Sequence, residues 1–249
     1  MHRSLSIVIP AYNEEKRLPS TLQRVVEYLN AGHFDFSEIL VVDDGSKDGT
    51  AALVEEFASR HKSVALLKNP GNRGKGYSVR HGMLEAQGDW VLFSDADLSS
   101  PIEELESLLT AVERTGAPIA IGSRALDRSL VGVHQPALRE YAGRFFNLAM
   151  RVITGLKFYD TQCGFKLFRK DAARAIFSRA QLERFGFDVE VLYIGEMLGY
   201  KAVEVPVVWN DVAGSKVGTF QGLDGFIDLL RVRRNDWAGR YDNQNREVK

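Results

Sequence analysis

An α/β architecture, with a mostly parallel sheet covered by helices on both faces, follows from three features of this 249-residue chain. Short continuous apolar runs recur, as strands buried on both faces require. They alternate with segments whose apolar residues repeat at helical spacing, the pattern of β-α-β units. Three of the runs end in polar or acidic residues: Ile7-Val8-Ile9-Pro10-Ala11-Tyr12-Asn13-Glu14, Ile39-Leu40-Val41-Val42-Asp43-Asp44-Gly45-Ser46 and Trp90-Val91-Leu92-Phe93-Ser94-Asp95-Ala96-Asp97. Ligands of open α/β sheets bind beyond the carboxyl ends of the strands. Those three ends, carrying Tyr12, Asp43 and the Asp95/Asp97 pair, therefore predict one concave site. Two carboxylates with one residue between them point to a hard divalent cation and a phosphate-bearing substrate.

From the N-terminus, residues 5–11 predict the first strand and 14–29 the first helix, with Leu18, Leu22, Val25, Val26 and Leu29 at core spacing. A second strand at 38–42 leads through an acidic loop to a helix at 49–60, with Leu53, Val54 and Phe57 inward. A third strand at 63–68 meets the turn Gly71-Asn72-Arg73-Gly74-Lys75-Gly76 and a helix at about 76–87. Strand four is 89–94, Pro101 suits the first turn of a helix at 101–115, and strand five is 118–122. Beyond Arg124 the pattern changes to a long helix at 136–156, a loop and short strand at 160–169, and helices at 170–178 and about 187–198. A strand at 201–209 and an amphipathic helix at 221–237 complete it. Residues 1–220 read as one domain that includes the long helix, 221–240 as an amphipathic C-terminal helix, and 241–249 as a polar tail of disordered composition.

Apolar residues make up 45% and charged residues 26% of the chain, ordinary values for a soluble protein with a sizeable core. A net charge of −1 offers no basic field to nucleic acid, which is not expected as a partner. Cys163 is the only cysteine, which excludes an intramolecular disulfide and Cys-rich zinc frameworks and fits a reducing cytosolic setting. No run approaches the roughly 18 apolar residues of a membrane span. The N-terminus enters a strand within a few residues, so no signal peptide is expected. The expected location is the cytoplasm, with any membrane contact peripheral.

Each motif has a structural reading beside its functional one. Tyr12 either packs on a nucleobase, with the backbone around Ala11 meeting base edges, or covers the sheet end. In the acidic loop, Asp43 is read as an acceptor for a base N–H or a ribose hydroxyl, while loop and cap chemistry explains Asp48 and Thr50. Period-two alternation sends Asp95 and Asp97 to one side if the strand geometry persists, and their mutual repulsion calls for a cation. Mg²⁺ or Mn²⁺ bridging a diphosphate is the economical choice. The 71–76 glycines match neither phosphate-loop nor dinucleotide fingerprints. A tight turn explains them, or Lys75 or Arg73 reaches a diphosphate. Arg124, at the end of strand five, lies on the same sheet edge, and Arg139 and Arg144 open the next helix, where guanidinium groups suit phosphate. Lys216, in a loop, can close over phosphate. In 138–156 and 223–237, apolar residues run beside arginines. That arrangement serves an interfacial helix on anionic lipid, core packing or a dimer contact.

Together these residues resemble the family 2 glycosyltransferases of GT-A fold, a Rossmann-like nucleotide-diphospho-sugar transferase architecture, over about 5–237. Asp160-Thr161-Gln162-Cys163-Gly164-Phe165-Lys166-Leu167-Phe168, Phe187-Asp188-Val189-Glu190, Val208-Trp209 and Gly214-Ser215-Lys216 look like the dolichyl-phosphate β-glucosyltransferases, with mannose synthases as near relatives. The resemblance implies a UDP-sugar donor, a polyprenyl-phosphate acceptor and peripheral contact with the cytoplasmic face of a membrane through the amphipathic helices. It implies that Pro10, Ala11, Tyr12, Glu14 and Asp43 hold the nucleoside, and that Asp95 and Asp97 hold metal and diphosphate, with Ala96 between them in the nucleotide-sugar site. Lys75 joins the donor site. Arg124, Arg139 and Lys216 would face phosphates, and Asp97, Asp160, Gln162, Asp188 and Glu190 the sugar and reaction centre. Two features depart from the pattern. Ser99 stands where mannose synthases commonly place a metal-ligating Gln, which leaves more of the coordination to water. The N-terminal anchor of the eukaryotic glucosyl enzymes is also missing, so a bacterial or archaeal polyprenyl phosphate is the expected lipid. The implied reaction is an inverting transfer of glucose from UDP-glucose. Transfer of mannose from GDP-mannose, or to another acceptor, is the alternative.

Overall fold

The computed structural model describes residues 4–32, 34–133, 137–210 and 221–242, with the backbone alone at 133, 137–142, 144 and 221–224. The chain begins β1 (Ser4–Ala11), α1 (Leu18–Ala31), β2 (Phe36–Asp43), α2 (Thr50–Arg60), β3 (Val64–Lys68), α3 (Lys75–Glu85) and β4 (Trp90–Ser94). It continues through α4 (Leu105–Thr115), β5 (Ile119–Ser123), β6 (Val131–Val133), α5 (Ala137–Thr154), β7 (Phe165–Arg169) and α6 (Lys170–Phe177). The last elements are α7 (Phe187–Met197), β8 (Ala202–Pro206), β9 (Trp209–Asn210) and α8 (Gln221–Trp237).

Alternation along β1 sets the layers. Leu5, Ile7, Ile9 and Ala11 enter one apolar cluster with Leu22 and Val25 of α1, Val54 of α2 and Leu108 of α4. Val8 enters the other, with Val79 of α3, Met150 of α5, Ile176 of α6, Val191 of α7 and Leu229 of α8. Both faces of the sheet are therefore covered, as the unbroken apolar strands predict.

Seven strands form the sheet in the order β3-β2-β1-β4-β7-β5-β8. All pair in parallel except β7, which is antiparallel to both β4 and β5. The chain winds from β1 out to β3, then crosses back to β4, so the strand order reverses between β1 and β4. A crevice opens at such a reversal.

Several boundaries move for identifiable reasons. α1 starts at Leu18 rather than residue 14, because Pro19 is tolerated only in a first helical turn. The strand expected over 201–209 stops at Pro206, and its continuation pairs as β9 with β6, a three-residue strand with no sequence signal. Tyr241, assigned by its polar neighbours to a disordered tail, is fully buried and donates its hydroxyl to Glu190 Oε1 at 2.8 Å.

Candidate active site

At the reversal, β1 and β2 run in register with Ala11 opposite Asp43, and the Asp44 amide donates to the Ala11 carbonyl at 2.9 Å. The following loops are laced together. Asn13 N donates to Ser46 Oγ at 2.9 Å, Lys47 N to Asn13 Oδ1 at 2.7 Å, and Glu14 N to Thr50 Oγ1 at 2.7 Å. Asn13 takes the left-handed conformation (φ 54°) that Asn tolerates better than most residues. This places Pro10, Ala11, Tyr12, Glu14 and Asp43 together at one edge. Two of the carboxylates are already engaged. Asp43 accepts from Ser46 N at 3.2 and 3.3 Å, and Glu14 holds Arg17 in a fork at 2.8 and 2.7 Å. No sequence motif singles out Arg17. Its hydrogen bond to Glu14 raises its pKa against the effect of burial, with the Asp97 and Asp95 charges adding to the rise.

The Gly-rich turn is explained by packing. Asp44 accepts from Arg73 N at 3.0 Å and Gly74 N at 2.7 Å, so a carboxylate takes the amides that a phosphate loop would offer. Gly74 sits at φ 114°, where an added Cβ would lie 2.5 Å from the Glu183 carbonyl oxygen, and only glycine fits. Arg73 pairs with Glu183 and lies 4.5 Å from the Tyr77 ring, away from the carboxylate pair. Lys75 instead points its Nζ to Asp95 Oδ1 at 2.6 Å. Burial opposes the Lys75 charge, but Asp95 and Asp188 outweigh it and raise its pKa.

The expectation that strand alternation orients Asp95 and Asp97 is corrected. β4 ends at Ser94, and the pair lies in a turn closed by Leu98 N donating to the Asp95 carbonyl at 3.2 Å. Leu98 has φ 47°, a left-handed conformation that costs a bulky residue about 1–3 kcal/mol. The turn is braced on three sides. Asp95 N donates to the Gly164 carbonyl at 3.1 Å, Thr21 Oγ1 to the Ala96 carbonyl at 2.7 Å, and Ser99 N to Asp97 Oδ1 at 3.0 Å. Burial, and then the Asp95 charge, push the Asp97 carboxyl above the usual carboxylate range. A cation would relieve that repulsion. Among the described residues no cluster of three or more potential ligands occurs. Two carboxylates in one turn are a donor set that a hard divalent ion could use, with phosphate and water completing its shell.

Because β7 runs antiparallel, its start lies at this same edge and delivers the 160–164 loop there. Asp160 accepts from Arg124 Nε at 2.6 Å, Nη2 at 2.8 Å and the Arg124 amide at 3.1 Å. Burial works against the Asp160 charge, but Arg124 overcomes it and lowers the carboxyl's pKa. Arg124 also lies 5.3 Å from the Trp209 ring. Gln162 is exposed between buried Thr161 and Cys163. Burial pushes the Cys163 thiol up to about 11, too high for a nucleophile at neutral pH.

Sequence reasoning missed Lys166 as a functional group. Fully buried on β7, its Nζ donates to the Cys163 carbonyl at 2.5 Å and to Asp188 of α7. Alternating charges thus run from Asp95 through Lys75 and Asp188 to Lys166. A buried lysine in a strand centre was the available signal, because such a group requires a partner.

Glu190 is not brought to this cluster. Its Oε2 accepts from Gln181 N at 3.0 Å and Leu182 N at 2.8 Å, and its Oε1 meets Tyr241, so its carboxylate fastens the 181–182 segment and the C-terminal turn. Burial pushes this carboxyl from 4.5 up to about 7. A pKa raised by folding disfavours the native state as the unfolded chain ionises first. Its contribution is therefore lost between pH 4.5 and about 7, by at most about 3 kcal/mol. Glu190→Gln should be more stable than the parent at pH 8 and indistinguishable near pH 4.5 in urea unfolding. A constant difference across that range would contradict the assignment. Arg139 lies on α5 with its side chain outside the described atoms, and Lys216 lies outside the described residues.

Residues 6–177 match the sequence pattern of Glycosyl transferase family 2. The chain is a family 2 glycosyltransferase. Two similar proteins are dolichyl-phosphate beta-glucosyltransferases. That of Trichomonas vaginalis is 39% identical across 95% of this chain and 76% of its own length. That of Homo sapiens is 36% identical across 96% of this chain and 78% of its own. Among solved structures, glucosyl-3-phosphoglycerate synthase from Mycobacterium tuberculosis, in complex with Mn²⁺, UDP and glucosyl-3-phosphoglycerate, superimposes with a TM-score of 0.66. It covers 98% of this glycosyltransferase and 81% of that chain at 18% identity, a likeness of fold.

Proposed function

We propose that this glycosyltransferase moves glucose from UDP-glucose onto the phosphate of a polyprenyl lipid at a membrane surface, inverting the anomeric carbon. The observation that carries this reading is the similarity, over nearly the whole chain, to proteins named dolichyl-phosphate beta-glucosyltransferase. The carboxylate pair at the crevice is in keeping with a nucleoside diphosphate leaving group.

A lipid-phosphate oxygen attacks the anomeric carbon while the bond from that carbon to the UDP oxygen breaks, its electron pair leaving with UDP. A phosphate monoester has a second pKa near about 6, so the nucleophile is already ionised at neutral pH and no strong general base is needed. A divalent cation, Mg²⁺ or Mn²⁺, would be held by Asp95 and Asp97 and would neutralise the departing diphosphate. Tyr12, Ala11 and Pro10 would seat the nucleoside, and Asp160, Gln162 and Asp188 would line the sugar. Arg124 keeps Nη1 outside its pairing with Asp160 and would offer it to phosphate. Labelled UDP-glucose incubated with polyprenyl phosphate and Mn²⁺ should yield a β-glucosyl lipid and UDP. Faster transfer from GDP-mannose, or onto a free sugar or diacylglycerol, would overturn the assignment.

Two neighbouring helices supply the membrane contact. On α8 the exposed residues Ile227, Leu230, Arg231, Arg234 and Trp237 recur at three- and four-residue spacing. Asp228 and Asp236 are turned inward to Gly186 N and the Tyr193 hydroxyl. On α5, Phe145, Leu148 and Val152 are exposed, and the Phe145 ring lies 5.6 Å from that of Phe226. No helix among the described residues is long and apolar enough to cross a membrane. An apolar stripe flanked by arginine instead suits a helix lying in an anionic surface. Leu230→Glu should weaken co-sedimentation with phosphatidylglycerol vesicles by about tenfold or more. Undiminished binding would locate the contact elsewhere.

A further inference from the structure

Lys75 is paired with one of the two carboxylates that the donor reading assigns to a metal ion. Its Nζ lies 2.6 Å from Asp95 Oδ1, and both side chains remain partly exposed, at 23% and 31%. The pair is thus partly open to solvent rather than sealed in the interior. The backbone beneath it is fixed by the bonds from Asp44 to Arg73 N and Gly74 N, so only the flexible side chain can respond. Asp188 is a second acidic neighbour whose charge also acts on Lys75, and the Phe93 ring lies 5.3 Å from Nζ. These neighbours remain beside Lys75 when Asp95 is taken from it.

We propose that Lys75 is a built-in competitor of the cation at Asp95, released by the diphosphate of the donor, so that metal and nucleotide bind cooperatively. A cation arriving alone meets one carboxylate already neutralised and must displace an ammonium to reach it. A diphosphate arriving with the cation gives that ammonium a new anionic partner, and both carboxylates become available. Because coupling free energies are reciprocal, UDP tightens the metal by the same factor as the metal tightens UDP. Lys75 is here a positioning residue that sets the order of loading, in addition to any contact with the donor. The inference rests on the donor reading above.

Titration calorimetry and Mn²⁺ electron paramagnetic resonance separate the two ideas. Wild-type protein should bind Mn²⁺ weakly by itself and about tenfold or more tightly with saturating UDP, within the usual range of such couplings. Lys75→Met should bind Mn²⁺ alone more tightly than wild type, bind UDP less tightly, and lower the coupling factor to the part that direct contact between cation and diphosphate supplies. Lys75→Gln guards against an effect of the apolar substitute, and thermal unfolding confirms that both variants fold. Unchanged or weaker binding of Mn²⁺ alone to both variants overturns the inference while leaving the donor reading intact. Failure of wild type to bind UDP in the presence of Mn²⁺ overturns the donor reading and the cooperativity with it.

Discussion

Asp97→Asn should abolish most turnover while leaving the fold intact or slightly more stable. Burial and the Asp95 charge already push the Asp97 carboxyl up, so ionised Asp97 is held at a cost that a neutral amide does not incur. The asparagine oxygen can still accept from Ser99 N, the bond that shapes the turn. What disappears is the second negative oxygen donor for a divalent ion and its diphosphate. Losing transition-state charge stabilisation of this kind reduces kcat by about 100-fold or more. Transfer assays at saturating Mn²⁺, paired with thermal unfolding, test both halves. Near-normal turnover with Mn²⁺ would remove the metal role from this turn.

The largest effect on stability is expected from Lys166→Met. Lys166 is fully buried, and its ammonium compensates Asp188, which burial already pushes above the usual carboxylate range. Methionine fills similar volume but leaves that carboxylate alone in the interior. Breaking a buried pair by removing one partner costs about 3–5 kcal/mol. Removing both is far milder, so Lys166→Met/Asp188→Leu should recover much of the loss in urea unfolding. The single variant's deficit should shrink as the pH falls, because a carboxyl with a folding-raised pKa is buried more cheaply when protonated. A single variant within about 1 kcal/mol of wild type, the size of an exposed pair, would show that solvent reaches the site.

Much of the site was legible because it lies at strand ends. Apolar runs at 5–11, 38–42 and 89–94 located β1, β2 and β4 to within two residues, and register then brings Ala11 opposite Asp43. Side-chain choice within a motif was not legible. Arg73 and Lys75 looked equivalent in the Gly-rich turn, yet Arg73 turns to Glu183 and Lys75 to Asp95. Glu190 shared a motif with Asp188 but sits two residues further along α7. Its partners are therefore Gln181, Leu182 and Tyr241 rather than the cluster that holds Asp188.

The sequence by itself determined the layered α/β architecture, the covered faces and the carboxylate-rich strand ends. Hydropathic period reports which side of an element is buried, and that is a local property. Only the tertiary structure decided that β7 runs against its neighbours, since apolar content is the same in either direction. It also decided which charges meet. Lys75 with Asp95, Lys166 with Asp188 and Arg124 with Asp160 are joined across different elements. Lys166 and Asp188 pair where burial makes an uncompensated charge intolerable, and which groups are buried or brought within reach is known only once the chain has folded.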